Sequence, residues 1–368
     1  LCGSVCLDDF DADGDLDLLV SSWDLADPLE LRLNDGSGQF TDATASAGLD
    51  GITGGLNMGP ADYDTHCRLD VLWRPVAGRT EGRRRPDTPL RNLGGGRFED
   101  VTEAAGLLSL HPTQTAAWGD YDGDGWLDLF IGNETAPSPG SSQHPCELYH
   151  NQGDGRFVEL AADVGVDLLG YVKGVAFGDY DDDGLPDLYV SRQDGDNILL
   201  RNAGPQDGRP VVLADADAET RPRAAPVRPW RFDDVTSRAG VAEPAWRFPT
   251  CWFDYDNDGR LDLWVSGYKN KSLRKVAREA ITGKAGGELP RLYRNLGDGR
   301  FDDVTAEVGF DTVLLTMGFN VGDLDNDGWL DVYATTGEPD FMALYPNRMF
   351  RNDAGRRFLD VTTSGGFG

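Results

Sequence analysis

Positive charge is what this sequence has least of. Its 368 residues hold 34 Lys and Arg against 63 Asp and Glu, with 4 His, for a formal net charge of −29. Nucleic-acid binding needs a basic footprint, and a pI near 4.3 argues against it. Long apolar runs are missing as well. Nothing approaches the roughly 18 residues of a membrane-spanning helix, so no transmembrane segment is expected. Cysteine is scarce and odd in number. Cys2, Cys6, Cys67, Cys146 and Cys251 show no zinc-type spacing, and Cys2 and Cys6 share a strand face too far apart to bridge easily. Buried free thiols are expected, with one disulfide left open. Residue 1 opens directly on a repeat and no leader is visible, which leaves location undecided. HExxH, GxSxG and the phosphate-binding Gly-Lys-Ser/Thr loop are absent too, so the reading leans away from an enzyme.

What the sequence does have is aspartate at fixed spacing. In Asp120-Tyr121-Asp122-Gly123-Asp124-Gly125-Trp126-Leu127-Asp128, four carboxylates stand at positions 1, 3, 5 and 9 with a glycine at 6. Alternate positions of a tight loop point hard oxygen ligands inward, the Trp126 carbonyl adds a backbone oxygen, and Asp128 closes the cage. The first half matches an EF-hand calcium loop. The second half departs from it: Leu127 to Ile131 alternates and then runs apolar, which favours a strand over a helix. The loop recurs as Asp9, Asp11, Asp13, Asp17; as Asp179, Asp181, Asp183, Asp187; as Asp254, Asp256, Asp258, Asp262; and as Asp323, Asp325, Asp327, Asp331. A degenerate copy, Asp62, Asp64, Asp70, puts His66 and Cys67 where the third Asp and the glycine belong, and its site is expected to be empty or filled by side-chain hydrogen bonds. First Asp to first Asp, the steps are 53, 58, 59, 75 and 69 residues. This pattern implies five calcium sites, with a sixth left open. They would return about +10 and leave roughly −19 on the loaded chain.

Each loop belongs to a longer unit of four short strands joined by Gly-rich turns, the length of a propeller blade. Six units fit, at about residues 1–48, 55–106, 113–165, 172–240, 247–309 and 316–368, as one all-β propeller domain. In up-and-down blades the acidic loops are 1–2 connections. Insertions at 76–89, 134–146 and 268–290 are 2–3 connections at the opposite strand ends, and 203–229 lies in a 3–4 connection. Within 272–282, apolar residues at three-to-four spacing predict a short amphipathic helix.

These units resemble FG-GAP/VCBS repeats, as in integrin alpha propellers and fungal propeller lectins. Pro112-Thr113-Gln114-Thr115-Ala116-Ala117-Trp118, His144-Pro145-Cys146-Glu147-Leu148 and Pro346-Asn347-Arg348-Met349-Phe350-Arg351-Asn352 are similar to segments of the cartilage acidic protein family, which often carries an ASPIC/UnbV domain. Members usually continue past residue 368 into a seventh calcium loop. The resemblance therefore allows a six-bladed ring, or a seven-bladed one whose closing blade is absent from the sequence. It implies a secreted or extracellular protein, as the sequons at Asn133 and Asn270 also weakly suggest.

Two functions stay open, beside a third possibility of a pure scaffold within a larger secreted protein. The first is an extracellular binding or adhesion module in which calcium is structural and a glycan, protein or small-molecule ligand sits on the face opposite the calcium loops. The second is an enzyme, a lyase, isomerase or cyclase of secondary metabolism with an axial pocket. Candidate catalytic residues are His111, Lys173, Arg247 and His144. His144, Cys146 and His150 are candidate soft-metal ligands, although structural packing accounts for most such residues. For Lys173 a salt bridge to a nearby acid is the expected role.

Overall fold

The computed structural model describes residues 2–22, 24, 26–55, 57–75, 86–138, 140–208, 229–246, 248–268, 287–337 and 347–366. Its strands form six four-stranded antiparallel sheets, each a meander in chain order, so the fold is an all-β propeller of six blades as expected. The segments predicted as a helix (272–282) and as a 3–4 excursion (most of 203–229) lie outside the described residues.

One compact unit comprises Leu1–Thr135, Ser142–Leu169 and Gly204–Arg231. It holds the first three blades. These are β1 (Cys2–Asp8), β2 (Asp17–Ser22), β3 (Glu30–Asn34) and β4 (Phe40–Asp42), then β5 (Asn57–Ala61), β6 (Asp70–Arg74), β7 (Thr88–Asn92) and β8 (Phe98–Asp100), then β9 (Thr113–Gly119), β10 (Asp128–Asn133), β11 (Glu147–Asn151) and β12 (Phe157–Glu159). The other unit comprises Ala136–Ser141, Gly170–Ala203 and Phe232–Gly368. Its blades are β13 (Val172–Gly178), β14 (Asp187–Arg192), β15 (Ile198–Pro205) and β16 (Trp230–Asp234), then β17 (Thr250–Phe253), β18 (Asp262–Val265), β19 (Arg291–Asn295) and β20 (Phe301–Asp303), then β21 (Thr316–Gly322), β22 (Asp331–Thr336), β23 (Arg348–Asn352) and β24 (Phe358–Asp360). Residues 204, 205, 230 and 231 of the fourth sheet count with the first unit.

First strands pack on first strands, β1 on β5 on β9 in one unit and β13 on β17 on β21 in the other. The second strands of the second to fifth blades are almost wholly buried, as their apolar runs require, whereas β2 and β22 are only partly so. Fourth strands are shorter than the sequence suggests. Phe301–Asp303 stops before Thr305 because Asp303 Oδ1 takes the Thr305 N–H at 3.1 Å and its hydroxyl at 2.5 Å, turning the chain. The same turn at Asp100 and Asp234 leads into one-turn helices, α1 (Thr102–Ala105) and α3 (Thr236–Ala239); α2 (Ala161–Val164) follows β12. Such single turns carry no apolar periodicity, so pattern could not find them.

In four of the six blades an asparagine at the end of the third strand ties the blade to its neighbour. Asn92 donates from Nδ2 to the Phe10 carbonyl, Asn151 to Tyr63, Asn295 to Tyr180 and Asn352 to Tyr255, at 2.7–3.2 Å, each time reaching the acidic loop of the preceding blade. The ring at loop position 2 packs in the same direction, Phe10 on Phe98, Tyr63 on Phe157, Tyr180 on Phe301 and Tyr255 on Phe358. Leu324 holds that position in the sixth blade and is 57% exposed.

Asn295→Ala removes the donors to Tyr180 and Leu261 and leaves two carbonyls to find other partners. Urea unfolding should show a loss of about 2–4 kcal/mol with unchanged slope. A loss below about 0.5 kcal/mol would refute the role given to this side chain.

Candidate metal centres

Each acidic loop lies between the first and second strands of its blade, and backbone N–H groups hold its carboxylates. The position-1 Asp accepts the N–H of position 5 at 2.9–3.1 Å and of position 6 at 2.8–2.9 Å in all six copies. Position 5 then accepts the N–H of position 7, as Asp124 does from Trp126 at 2.9 Å and Asp258 from Arg260 at 3.0 Å. The glycine at position 6 has φ between +85 and +97°, where a side chain is strained. Cys67 takes that place with φ +57°, so the degenerate loop keeps the curl at a cost in strain.

Position 9 is the anchor. Asp17, Asp70, Asp128, Asp187, Asp262 and Asp331 are all buried. Each Oδ1 accepts the N–H of the third-strand asparagine at 2.7–2.8 Å. Except in the second blade, each Oδ2 takes the N–H of loop position 2 at 3.0–3.1 Å. These bonds use one side of each carboxyl, and oxygens of several carboxylates converge on the other. Donor atoms of Asp9, Asp11 and Asp13, of Asp62, Asp64 and Asp70, of Asp120, Asp122 and Asp124, and of Asp179, Asp181 and Asp187 each fall within 4.8 Å of one another.

Uncompensated, this crowding is costly. Asp181 Oδ1, Asp256 Oδ1 and Asp70 Oδ2 are buried without a hydrogen-bond partner. Burial pushes the Asp187 carboxyl up to about 8 and that of Asp262 to about 7, with neighbouring carboxylates adding to both. Orphaned buried oxygens and carboxyls held this far up are what a cation cradle looks like from the protein side, and the all-oxygen donor set suits a hard ion. In the fourth blade Arg201 supplies part of the charge, its Nε at 2.5 Å from Asp181 and its Nη2 at 2.5 Å from Asp183.

Repeats of this kind match a known family model, that of the FG-GAP-like repeat, over residues 9–73, 62–131, 138–190 and 254–334, which is more than half of the chain. The chain belongs to the FG-GAP-like repeat family. Three of the four matched segments begin on the first Asp of a loop. Human cartilage acidic protein 1 is 28% identical over 262 residues, covering 70% of this chain and 33% of the relative. The mouse protein of the same name is 27% identical over 261 residues, with the same coverage. The chain thus spans about a third of the length of these relatives. Among solved structures, the exotype rhamnogalacturonan lyase YesX aligns with 97% of this chain and 56% of its own at 11% identity, with a TM-score of 0.43. The V. cholerae biofilm matrix protein Bap1 aligns with 81% of this chain and 38% of its own at 11% identity, with a TM-score of 0.39.

At the strand ends away from the FG-GAP loops, the structure separates the remaining candidates. His111 and His144 meet, with Nδ1 atoms 2.8 Å apart, so one ring donates and the other accepts. Lys173, in the other unit, is buried and lies over the rings of Tyr171 at 4.3 Å and Phe248 at 5.3 Å, a cation–π setting. Arg247 lies outside the described residues. His150, grouped with His144 and Cys146 on sequence proximity, sits at the other end of its strand. Its Nδ1 is 3.2 Å from Asp128 and 3.6 Å from Asp122. Cys146 is buried; Cys6 is a buried free thiol as expected, whereas the free thiols Cys251 and Cys67 are half-buried and exposed, Cys67 because it sits in the open acidic loop of the second blade. Asn133 cannot serve as a glycan acceptor in the folded chain. It is fully buried, donating to Pro145 O at 2.7 Å and Glu147 Oε2 at 2.9 Å and accepting from the Thr113 hydroxyl. Asn270 lies outside the described residues.

The raised carboxyls set a pH dependence. With folded values of about 8 and 7 for Asp187 and Asp262, the metal-free native state keeps protons that the unfolded chain has released. The contribution of these carboxyls should therefore be full below about pH 4 and be lost progressively as pH rises to about 7 to 8. Urea midpoints of the stripped protein should be lower at pH 8 than at pH 5, and a saturating divalent cation should remove that difference. A stripped protein that is more stable at pH 8 would contradict the assignment.

Proposed function

We propose that this chain is a calcium-held propeller that serves as a binding module outside the cell. Ca²⁺ occupies the five full loops, through Asp9, Asp11, Asp13 and Asp17; Asp120, Asp122, Asp124, Asp128 and the Trp126 carbonyl; Asp179, Asp181, Asp183 and Asp187; Asp254, Asp256, Asp258 and Asp262; and Asp323, Asp325, Asp327 and Asp331. Four carboxylates, one carbonyl and water fill the six to eight oxygen positions that this ion takes. The observation that carries the reading is the set of buried carboxylate oxygens, at Asp181 and Asp256, that have no partner in the folded chain. Asp62, Asp64 and Asp70 gather in the same way and make a sixth, weaker site, where His66 Nδ1 already pairs with Asp64 at 2.7 Å.

The ions are structural, and the ligand, a glycan, a protein or a small molecule, binds at the strand ends opposite the loops. Similarity to cartilage acidic protein 1 supports a secreted setting. A lyase, isomerase or cyclase has one observation in its favour, the His111–His144 pair. Glu147, at the start of the same strand, is already engaged, accepting from Ser109, Asn133 and Tyr149 at 2.6–2.9 Å. The binding reading is the better supported.

Each loop loaded at a hundred times its Kd contributes about 2.7 kcal/mol, so chelation should lower the melting temperature by on the order of 10 °C or more and open the loops to protease. A melt unchanged in excess EGTA would overturn the proposal. Asp256→Ala should lower the bound calcium by about one ion and leave the other loops loaded. Undiminished stoichiometry would remove Asp256 from the ligand set.

A further inference from the structure

The residue just before the third-strand asparagine occupies one slot in every blade: Leu33, Arg91, His150, Arg201, Arg294 and Arg351. In the fourth and sixth blades it turns to the loop carboxylates, Arg201 to Asp181 and Asp183, and Arg351 to Asp325 at 3.7 Å. In the third blade the slot holds an imidazole, which can bind a metal where a guanidinium cannot.

His150 is 2% exposed, and its Nε2 has no hydrogen-bond partner. A buried imidazole with one nitrogen unsatisfied is costly, and here Nδ1 faces a group of carboxylates at ion-pair distance. It lies 3.2 Å from Asp128 Oδ1 and 3.6 Å from Asp122 Oδ2, and the three donor atoms fall within 4.8 Å of one another. Bonds of about 2.0–2.1 Å place neighbouring donors roughly 3.4 Å apart in a tetrahedral site, which matches these separations. A hard ion gains little from an imidazole, whereas a borderline ion gains much.

We propose that the third loop is a mixed nitrogen–oxygen site for a borderline divalent ion of the zinc or cobalt type, in which His150 Nδ1 joins Asp122 and Asp128. This rests on the reading of the loops as cation sites and makes one of them chemically distinct from the rest. Asp128 keeps its backbone bonds to Tyr121 and Asn151, which fix the carboxylate in place while a remaining lone pair meets the metal.

The test uses the full chain stripped of metal, as wild type, His150→Leu and His150→Arg, the last restoring the residue common at this slot. Each protein is titrated with Co²⁺ or Zn²⁺ in saturating Ca²⁺, read by the visible absorption of cobalt and by metal content. Wild type should keep about one equivalent of cobalt or zinc against calcium. Both variants should bind it about tenfold or more weakly, since losing a direct ligand costs no less than losing one of its supports. Calcium bound by the other loops should not change. Displacement of all cobalt by calcium in wild type would overturn the proposal, as would retention of that equivalent by both variants, which would point to His111 and His144 instead. Calcium uptake without a His150-dependent ion defeats this inference alone, whereas failure of every loop to take up any metal defeats the calcium reading with it.

Discussion

The structure depends on burying one carboxylate per blade at the corner between the first two strands. Two backbone N–H groups reach each of these carboxylates in five of the six blades, and hydrogen bonds to a charged acceptor contribute about 1.5–3 kcal/mol each. Desolvation of the ion costs several kcal/mol, and three further carboxylates stand within a few ångström in each full copy. The clamp alone therefore leaves the corner close to balance, and the sign is decided by whatever compensates the charge. A proton can do it, which is why Asp187 and Asp262 titrate so high. Arg201 does part of it in the fourth blade. The divalent cation proposed for these loops would do it for the whole cluster at once, without asking any single carboxylate to change state.

The same corner also joins one blade to the next. Asn151 donates its backbone N–H to Asp128 and its side-chain amide to the Tyr63 carbonyl of the preceding loop. Tyr63 in turn stacks on Trp118 with centroids 5.8 Å apart, and the Trp118 indole donates to the Gly59 carbonyl at 3.2 Å. In the other unit Asn295, Tyr180 and Trp252 repeat the arrangement, with Trp252 donating to Ala176. Loop curvature and blade packing are consequently one set of contacts. A loop that opens withdraws the ring and the carbonyl on which its neighbour rests, so local opening should spread along a unit before it unfolds whole.

Much of this was written in the spacing of the chain. The Asp offsets, the glycine at position 6 and the step between copies are properties of residue order, and they are enough to expect a propeller of six blades with an acidic loop in each. The clamp was legible in part. Asp128 was readable as the residue that closes the site, but nothing local says that its partner is the N–H of Asn151, more than twenty residues away. His150 was misplaced for a related reason. A five-residue strand puts its two ends at opposite ends of the blade, so a histidine near Cys146 in sequence belongs with Asp122 in space. Asn133 shows the limit of motif reading. The sequon is intact, yet the side chain is spent on Pro145, Glu147 and Thr113, and only burial reveals that.

Repetition itself bears on where recognition can reside. The five full copies of one loop share the same aspartate donors and the same curl, so those loops by themselves cannot distinguish one ligand from another. Selectivity has to come from residues that the copies do not share. Such residues stand at the other strand ends of each unit: the His111–His144 pair in one, Lys173 beside two aromatic rings in the other, and the 2–3 connections that vary in length from blade to blade. There the strand ends are held from the far side by the clamped corners, so a loop can change sequence without disturbing the sheet that carries it. His150 is the exception that supports the rule. It is a departure at the shared end, it falls in a slot otherwise filled mostly by arginine, and its effect is confined to the chemistry of a single corner.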